Sequence, residues 1–305
     1  MDWKLSDIPD QTGRQVIVTG ANSGLGFEVT KRLARAGASV TMACRNVAKA
    51  EAAAGQIREL VPGAKVEVAV LDLADLHSVA SFAKEYAAKH DRLDVLVNNA
   101  GLMAVDRGRT ADGFEMHIGV NHLGHYALTQ HLLPLLIATP GSRIATMTSM
   151  GHRLGLMRFG DLMSQRPYFR WTAYTQSKLA NLLFTVGLQQ RLAATGAATI
   201  AVTAHPGASN TDLGYEGHSI TNRLSEFVMS HFAQPAAVGS LPMLRAVTDP
   251  AVRGGEYYGC QYVVSGKPVR VKPALRARST KAAEKLWNIS AELTGLDAFK
   301  EHSKS

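Results

Sequence analysis

Tyr174 and Lys178 are four positions apart in the segment Ala173-Tyr-Thr-Gln-Ser-Lys. On a helix, positions i and i+4 lie on one face, so the phenol and the amine would share the same space. A tyrosine ordinarily titrates near pH ~10, which makes it a poor acid or base at neutral pH. A neighbouring cation favours the phenolate and lowers that pKa. The pair could therefore exchange a proton with a substrate oxygen, although a pair standing alone would also fit an exposed helix face.

A glycine-rich segment, Thr19-Gly-Ala-Asn-Ser-Gly-Leu-Gly26, follows a predicted strand and precedes a predicted helix. Glycines let the backbone turn sharply and approach a pyrophosphate, and the helix N-terminus supplies free N–H donors with partial positive charge. This order of elements is what the dinucleotide-binding mechanism requires. The expected cofactor contacts in this loop are Gly20, Asn22, Ser23, Gly24, Leu25 and Gly26.

The residues after the second predicted strand favour NADP(H) over NAD(H). NAD sites tend to place an acid about 20 residues beyond the glycines, on the ribose hydroxyl. Between Glu28 and Glu51 this chain has no acidic residue, and the strand ends in Cys44-Arg45-Asn46. An arginine at this point can pair with a 2′-phosphate, which an acid would repel. We therefore expect Arg45 and Asn46 to contact the cofactor.

Apolar strand-like runs alternate with helical patterns along most of the chain. This alternation predicts βαβ units with a parallel sheet, and hence an α/β fold with one doubly wound Rossmann-type domain over residues 1–305. A looser apolar segment at 207–235 is expected to be a substrate lid, since substrates bind beyond the carboxyl ends of such strands. The predicted strands are 15–19, 39–43, 65–71, 94–97, 143–148, 199–204 and 256–264, and the predicted helices are 25–36, 47–60, 78–89, 112–138, 172–194 and 280–293.

Composition excludes several classes of function. Hydrophobic residues make up 46% of the 305 residues, as in ordinary globular enzymes. No run approaches the ~20 apolar residues of a membrane span, and two distant cysteines suggest no disulfide framework. A cytoplasmic location without stable membrane insertion is the expectation. The net charge of +8 raises nucleic acid as a partner, but the one basic cluster, at 267–281, lacks interleaved aromatic residues. We expect a solvated face and no nucleic-acid binding.

Five further motifs each fall at a definite point in the predicted order of strands and helices. They are Asn98-Asn-Ala-Gly101, Val120-Asn-His-Leu-Gly-His125, Tyr174-Thr-Gln-Ser-Lys-Leu-Ala-Asn-Leu-Leu-Phe184, His205-Pro-Gly207 and Lys285-Leu-Trp-Asn-Ile-Ser290. With the glycine loop, they make the chain resemble the short-chain dehydrogenase/reductase family over about residues 13–295. The last four of these motifs look like those of the retinol dehydrogenase and WW-domain oxidoreductase branch.

The resemblance implies a catalytic tetrad. Tyr174 would be the general acid in reduction and the general base in oxidation. Lys178 would lower the tyrosine pKa and hold the nicotinamide ribose. Ser149 would polarise the substrate oxygen, and Asn121 would position a water that relays protons to Lys178. The cofactor contacts that the resemblance adds are Asp72, Leu73, Asn99, Ala100, Gly101, Tyr174, Lys178, Pro206, Gly207 and Thr211.

Several questions stay open in the sequence. Ser149 precedes Tyr174 by 25 positions, and the intervening apolar residues of 150–170 suggest a bulky apolar alcohol or carbonyl substrate, such as a retinoid, steroid or lipid-derived compound. The alternatives are a C=C reductase resembling light-dependent protochlorophyllide reductases and a non-catalytic NADP-binding scaffold.

Two further expectations concern metal and assembly. Histidines occur at 117, 122, 125 and 131, but no acidic residue lies between Glu115 and Asp161. A metal site would need such a ligand beside the histidines, so no metal site is expected. The helices 112–138 and 172–194 are apolar on more than one face, which favours a homodimer or homotetramer.

Overall fold

The computed structural model describes residues 2–208 and 234–302. The strands are β1 (Gln15–Thr19), β2 (Ser39–Cys44), β3 (Lys65–Val70), β4 (Val95–Asn98), β5 (Arg143–Met147), β6 (Ile200–Ala204), β7 (Tyr257–Cys260) and β8 (Pro268–Arg270). The helices are α1 (Gly24–Arg35), α2 (Val47–Leu60), α3 (Leu76–Lys89), α4 (Met116–Ile118), α5 (Gly124–Ala138), α6 (Arg170–Ala194), α7 (Ala236–Gly239), α8 (Leu241–Thr248), α9 (Thr280–Thr294) and α10 (Ala298–His302).

All eight strands belong to one sheet in the order β3-β2-β1-β4-β5-β6-β7-β8. Strands β1 to β7 pair in parallel, and β8 pairs antiparallel with β7. The predicted α/β doubly wound Rossmann-type fold is confirmed. The strand order reverses between β1 and β4, and ligands of such sheets bind in the crevice at this reversal.

Alternation along β1 shows why helices cover both faces of the sheet. Val16 and Val18 belong to the apolar cluster that contains Leu33 of α1. Ile17, between them, belongs to the opposite cluster with Leu132 of α5. Successive side chains of a strand point to opposite faces, so an apolar run without polar alternation requires cover on both sides.

The long helix predicted from residue 112 begins later, at Met116. Gly113 has a φ of +84°, which an α-helix does not allow. The Glu115 carboxylate then accepts the N–H groups of His117 and Ile118 and caps the helix start. After α4 comes a π-helical turn at Gly119–Leu123 before the regular helix of α5. The prediction merged three pieces because their apolar residues continue across the joints.

The strand predicted at 256–264 is also wrong in its second half. β7 ends at Cys260, and Val263 adopts a φ of +69°, so the chain reverses and returns as β8. The short helices α7 and α8 were not predicted, because helices of 4 and 8 residues give too few turns for a clear periodicity.

The second apolar face of α6 packs against the C-terminal helix α9. Trp287 is buried, with its ring centroid 5.1 Å from that of Tyr126 and 6.0 Å from that of Phe184. Ser290, one turn later, bonds to His122 at 2.8 Å. The chain therefore covers by itself the surface that suggested another subunit. The expected homodimer or homotetramer loses the observation on which it rested.

The apolar residues of 150–170, which suggested a bulky apolar substrate, pack between helices or face solvent. Leu162 is buried in a cluster with α6 and α9 residues, and Met157, Phe159 and Met163 pack against it. Leu154 is 80% exposed and Leu156 is 57% exposed. This segment therefore joins α6 to α9, and it gives no support to an apolar substrate pocket. Among the helices described, none combines the length and apolarity that crossing a membrane demands.

Replacing Trp287 tests the role of α9. We expect Trp287→Ala to lower the free energy of unfolding by about 3–5 kcal/mol, because it removes a buried aromatic side chain from a packed cluster. Leu275→Ala is the control, since Leu275 is 82% exposed and its loss should cost little. Chemical denaturation of both variants is the measurement, and equal stability losses would contradict the assigned packing.

Candidate active site

A cleft of about 480 Å³ lies at the carboxyl ends of the parallel strands. The predicted cofactor residues that line it are Gly20, Asn22, Ser23, Gly24, Leu25, Gly26, Arg45, Asn46, Asp72, Leu73, Asn99, Ala100, Gly101, Tyr174, Lys178, Pro206 and Gly207. Thr211 and most of the 207–235 segment lie outside the described residues. Seventeen predicted positions thus meet in one place, although they are dispersed over the chain.

The glycine loop is shaped for close approach to a ligand. Gly20 and Gly24 have φ values of +64° and +52°, which favour glycine. A Cβ atom at Gly26 would collide with the Gly20 carbonyl oxygen, so only glycine fits between loop and helix. Ser23 precedes α1 without a side-chain capping bond. The first-turn N–H groups of α1 are therefore left to bind an anion in the cleft.

The end of β2 supplies positive charge to the other part of the cleft. Arg45 and Lys49 line it and are both exposed. Asn46 caps α2 by accepting the Lys49 backbone N–H at 2.9 Å. Within residues 2–208 and 234–302, the Arg45 guanidinium has no acidic partner within ion-pair distance. It is thus available to an anionic ligand.

Thr19, the last residue of β1, holds in place the loop that follows β4, which we call the β4 loop. Its Oγ1 atom accepts the N–H groups of Asn99 and Ala100, both at 2.9 Å. The hydroxyl proton faces His125 Nε2, also at 2.9 Å, and more distantly the Val97 carbonyl oxygen at 3.4 Å. Because a carbonyl oxygen can only accept, the 3.1 Å contact between His125 Nδ1 and the Asn121 carbonyl places the ring proton of the neutral imidazole on Nδ1. Burial lowers the pKa of His125 to about 4, so the ring stays neutral.

Tyr174, Lys178 and Asn121 converge beside Gly101. Tyr174 and Lys178 are 4% and 3% exposed, and the Lys178 Nζ atom lies 5.8 Å from the centroid of the tyrosine ring. A Cβ atom at Gly101 would lie 3.1 Å from Nζ and 3.0 Å from Asn121 Oδ1. Burial lowers the pKa of Lys178 to about 8. The cation is therefore still present at neutral pH, beside the phenol.

Asn121 lies in the π-helical turn, and its amide is fully engaged. Oδ1 accepts the Leu102 N–H at 2.7 Å, while Nδ2 donates to the Leu102 carbonyl at 3.0 Å and to Ser177 Oγ at 2.9 Å. π-Helical turns are common at functional sites. The side chain thus fastens the β4 loop to α6 and leaves the backbone carbonyl near His125.

Ser149 follows β5 and faces the same cleft. A Cβ atom at Gly151 would lie 3.5 Å from Ser149 Oγ and 3.4 Å from Tyr174 Cε1, so both groups flank one point. The neighbouring Thr148 is buried, and its hydroxyl donates to the Lys178 carbonyl at 2.7 Å. Ser149 Oγ accepts the Gly151 N–H at 3.1 Å, which leaves its hydroxyl proton for an acceptor in the cleft, whereas the Thr148 proton is already donated to the Lys178 carbonyl.

Sequence reasoning missed part of the cleft lining. Leu102, Met103, Val120 and Met147 contribute apolar surface to the cleft, and of these only Val120 belongs to one of the sequence motifs above. Leu102 and Met103 lie in the loop after β4 and Met147 is the last residue of β5, so their only signal was a position near the carboxyl end of a predicted strand. The other lining residues not predicted as contacts are Ala43, Cys44, Lys49, Leu71 and Thr148.

The remaining histidines have structural partners. His205 Nδ1 accepts the Gly207 N–H at 3.2 Å and supports the turn at the cleft edge. His122 is buried, and its Nε2 atom contacts the hydroxyl of Ser290. Across the described parts of the chain, no group of three His, Cys, Asp or Glu side chains could hold a metal ion.

Comparison with known proteins agrees with this geometry. Residues 14–219 match the short chain dehydrogenase family. Human retinol dehydrogenase 12 is 42% identical over 284 residues, which cover 93% of this chain and 87% of that protein. The chain belongs to the short-chain dehydrogenase family. This short-chain dehydrogenase is an oxidoreductase acting on alcohol or carbonyl groups, and the resemblance to retinol dehydrogenases is confirmed.

Solved structures extend the comparison to the fold. An uncharacterized protein from Mycobacterium paratuberculosis is 40% identical, with a TM-score of 0.82 over 97% of this chain and 99% of that one. A protein from Beutenbergia cavernae, solved with bound NADP, is 27% identical, with a TM-score of 0.61 over 81% of this chain and 95% of that one. Both share the doubly wound sheet of this short-chain dehydrogenase.

The pH dependence of stability tests the burial of Lys178. Burial lowers its pKa to about 8 in the folded chain, whereas an unfolded lysine titrates near ~10.4. Between these values the unfolded chain binds more protons, so this group makes the free energy of unfolding rise with pH. Lys178→Met should lack that rise, which urea titrations from about pH 8 to 10.5 would measure.

The exposed Lys281→Met variant controls for the loss of one charge. If wild type and Lys178→Met changed in parallel with pH, the Lys178 amine would not be buried as the structure has it.

Proposed function

We propose that this short-chain dehydrogenase uses NADP(H) to interconvert an alcohol and a carbonyl group of an apolar substrate. The observation that carries the proposal is the convergence of Ser149, Tyr174 and Lys178 at one end of a cleft whose other end presents Arg45. The first three side chains suit proton transfer to an oxygen atom, and the last suits a phosphate.

Tyr174 is the proton donor in reduction and the acceptor in oxidation. The Lys178 ammonium lies near its ring in a buried site, where electrostatic attraction to the phenolate is strong. Ser149 donates a hydrogen bond to the substrate oxygen and stabilises the negative charge that develops on it. Asn121 holds the β4 loop against α6, so that Gly101 stays beside the lysine amine.

The cleft suits NADP(H), which when bound would supply the hydride in carbonyl reduction and accept it in alcohol oxidation. The uncapped N-terminus of α1 would hold the pyrophosphate, and the backbone near Gly20 and Gly26 leaves room for it. Arg45 and Lys49 would pair with the 2′-phosphate, as no acid lies at the end of β2. Lys178 would hold the ribose hydroxyls.

The expected substrate class is apolar. Human retinol dehydrogenase 12, by its name, acts on retinol, and this chain matches most of its length. Met103 and Met147 add adaptable apolar surface to the cleft, and Met103 packs in a cluster with Tyr174. Retinoid, steroid and lipid-derived aldehydes or ketones are therefore the compounds to test first.

Replacing the phenol tests the proposed proton transfer. We expect Tyr174→Phe to lower kcat for carbonyl reduction by about 10²–10⁴-fold, because a general acid contributes about that much. Binding of NADPH, measured by fluorescence titration, should remain. Steady-state NADPH oxidation against a panel of apolar carbonyls is the assay, and full turnover in this variant would remove Tyr174 from the mechanism.

Reversing the charge at position 45 tests the cofactor preference. Arg45→Glu should weaken NADPH binding about tenfold to a hundredfold, the usual cost of losing a hydrogen bond to a charged group and adding repulsion. NADH binding should not weaken, since it has no 2′-phosphate. Arg35→Glu is the control, because Arg35 is exposed at the far end of α1. An unchanged ratio of NADPH to NADH affinity would contradict the assignment.

A further inference from the structure

Two segments meet beside the Tyr174 ring. Residues 103–107 follow β4, and residues 164–171 lead into α6. They are joined at their exposed edge by an ion pair between Arg170 and Asp106 at 2.5 Å. On the inner side, the Tyr168 hydroxyl lies 3.2 Å from the Val105 carbonyl oxygen. The inner contact belongs to a buried group of polar side chains that the tetrad does not include.

His117 is the centre of this group. Its Nε2 atom accepts the Val105 N–H at 3.2 Å. The ring proton of a neutral imidazole must then lie on Nδ1, which is 2.8 Å from Glu115 Oε1 and 3.1 Å from the Tyr168 hydroxyl. The side chain of His117 is fully buried. Both ring nitrogens are therefore satisfied inside the protein.

In this network Glu115 is an ionised acceptor and Tyr168 is a protonated donor. Burial opposes ionisation of Glu115, but hydrogen bonds from His117 and two backbone N–H groups hold the carboxyl pKa below its ordinary value. Burial and the neighbouring carboxylate raise the pKa of Tyr168, so its hydroxyl keeps its proton. Tyr168 lies 3.1 Å from Glu115 Oε1. Every donor in the group thus faces an acceptor.

The group binds both polar backbone groups of Val105, because His117 accepts its N–H and Tyr168 donates to its carbonyl. Just before it, Ala104 has a φ of +51°, an unfavourable conformation for a residue with a Cβ atom. Met103 and Ala104 form a buried apolar cluster with Tyr174. The edge of the His117 ring also meets the Tyr174 ring, with centroids 6.2 Å apart and planes at 66°. The strained Met103–Ala104 turn therefore packs against Tyr174 on one side, and the hydrogen bonds to Val105 hold it in that position.

We propose that Glu115, His117 and Tyr168 are positioning residues that hold the Met103–Ala104 turn against Tyr174 and so set the direction of its phenol. This inference rests on the proposed role of Tyr174 in proton transfer. The three residues touch neither the glycine loop nor Arg45, which bind the cofactor in the proposal. Their loss should therefore affect the chemical step and leave cofactor binding intact.

Tyr168→Phe removes only the hydroxyl. We expect kcat to fall about tenfold or more, because misplacement of a reacting group by a fraction of an ångström is costly. The dissociation constant of NADPH should stay within about twofold, since cofactor contacts are made elsewhere. Tyr86→Phe is the matched control. The Tyr86 hydroxyl is buried but has no hydrogen-bond partner in the described part of the chain, and its removal should change neither constant.

Position 117 separates hydrogen bonding from packing. His117→Gln keeps an amide oxygen that can accept the Val105 N–H and should retain most of kcat. His117→Phe keeps a flat ring against Tyr174 but has no acceptor, and should lose at least as much as Tyr168→Phe. If His117→Phe instead kept kcat and His117→Gln lost it, ring packing alone would matter, and the proposed hydrogen-bonded support would be overturned.

Hydrogen exchange provides a readout that does not depend on turnover. The Val105 amide should exchange faster in His117→Phe, whereas the amides of β1 should not, because β1 lies in the sheet core. Unchanged exchange at 103–107 in His117→Phe, or unchanged kcat in Tyr168→Phe, would refute the proposal. Full activity in Tyr174→Phe would instead refute the proton-transfer role, so the two failures are distinguishable.

Discussion

The buried ammonium group of Lys178 is the constraint on which the site depends. Taking a cation out of water is unfavourable, and its pKa of about 8 reflects that cost. The same low dielectric strengthens its action on the nearby phenol of Tyr174. Gly101 is required next to the amine, because a side chain there would press on Nζ and on Asn121. The hydrogen bonds of Asn121 to Leu102 and Ser177 keep the β4 loop packed against the lysine amine.

The sheet brings these groups together through the reversal of strand order between β1 and β4. Thr19 at the end of β1 bonds to two backbone N–H groups of the β4 loop and to His125 of α5. His125 in turn reaches the carbonyl of Asn121. Three elements distant in sequence are thus joined by one threonine hydroxyl and one neutral imidazole. The catalytic and cofactor-binding parts of the cleft share this junction.

The regular elements of the first half of the fold were predictable from local patterns. The boundaries of β1, α1, β2 and α2 differ from the predicted ones by at most one residue, because glycine and proline punctuate strong apolar periodicities there. Prediction failed where single residues redirected the backbone inside a continuous apolar pattern. Gly113 and the Glu115 cap delay the start of α4, and Val263 turns the chain out of β7. The homodimer or homotetramer expectation lost its supporting observation, because the sequence shows an apolar face of α6 without showing that α9 covers it.

The sequence by itself determined the pairing of Tyr174 with Lys178 and the glycine turn before α1, because both depend on separations of a few residues within one helix or loop. Only the tertiary structure decided that Ser149, Asn121 and Gly101 meet them, since strand order and register set those distances. It also decided that Trp287 covers α6 and that Tyr168 reaches Val105. Such contacts join residues far apart in the chain, and no local periodicity encodes them.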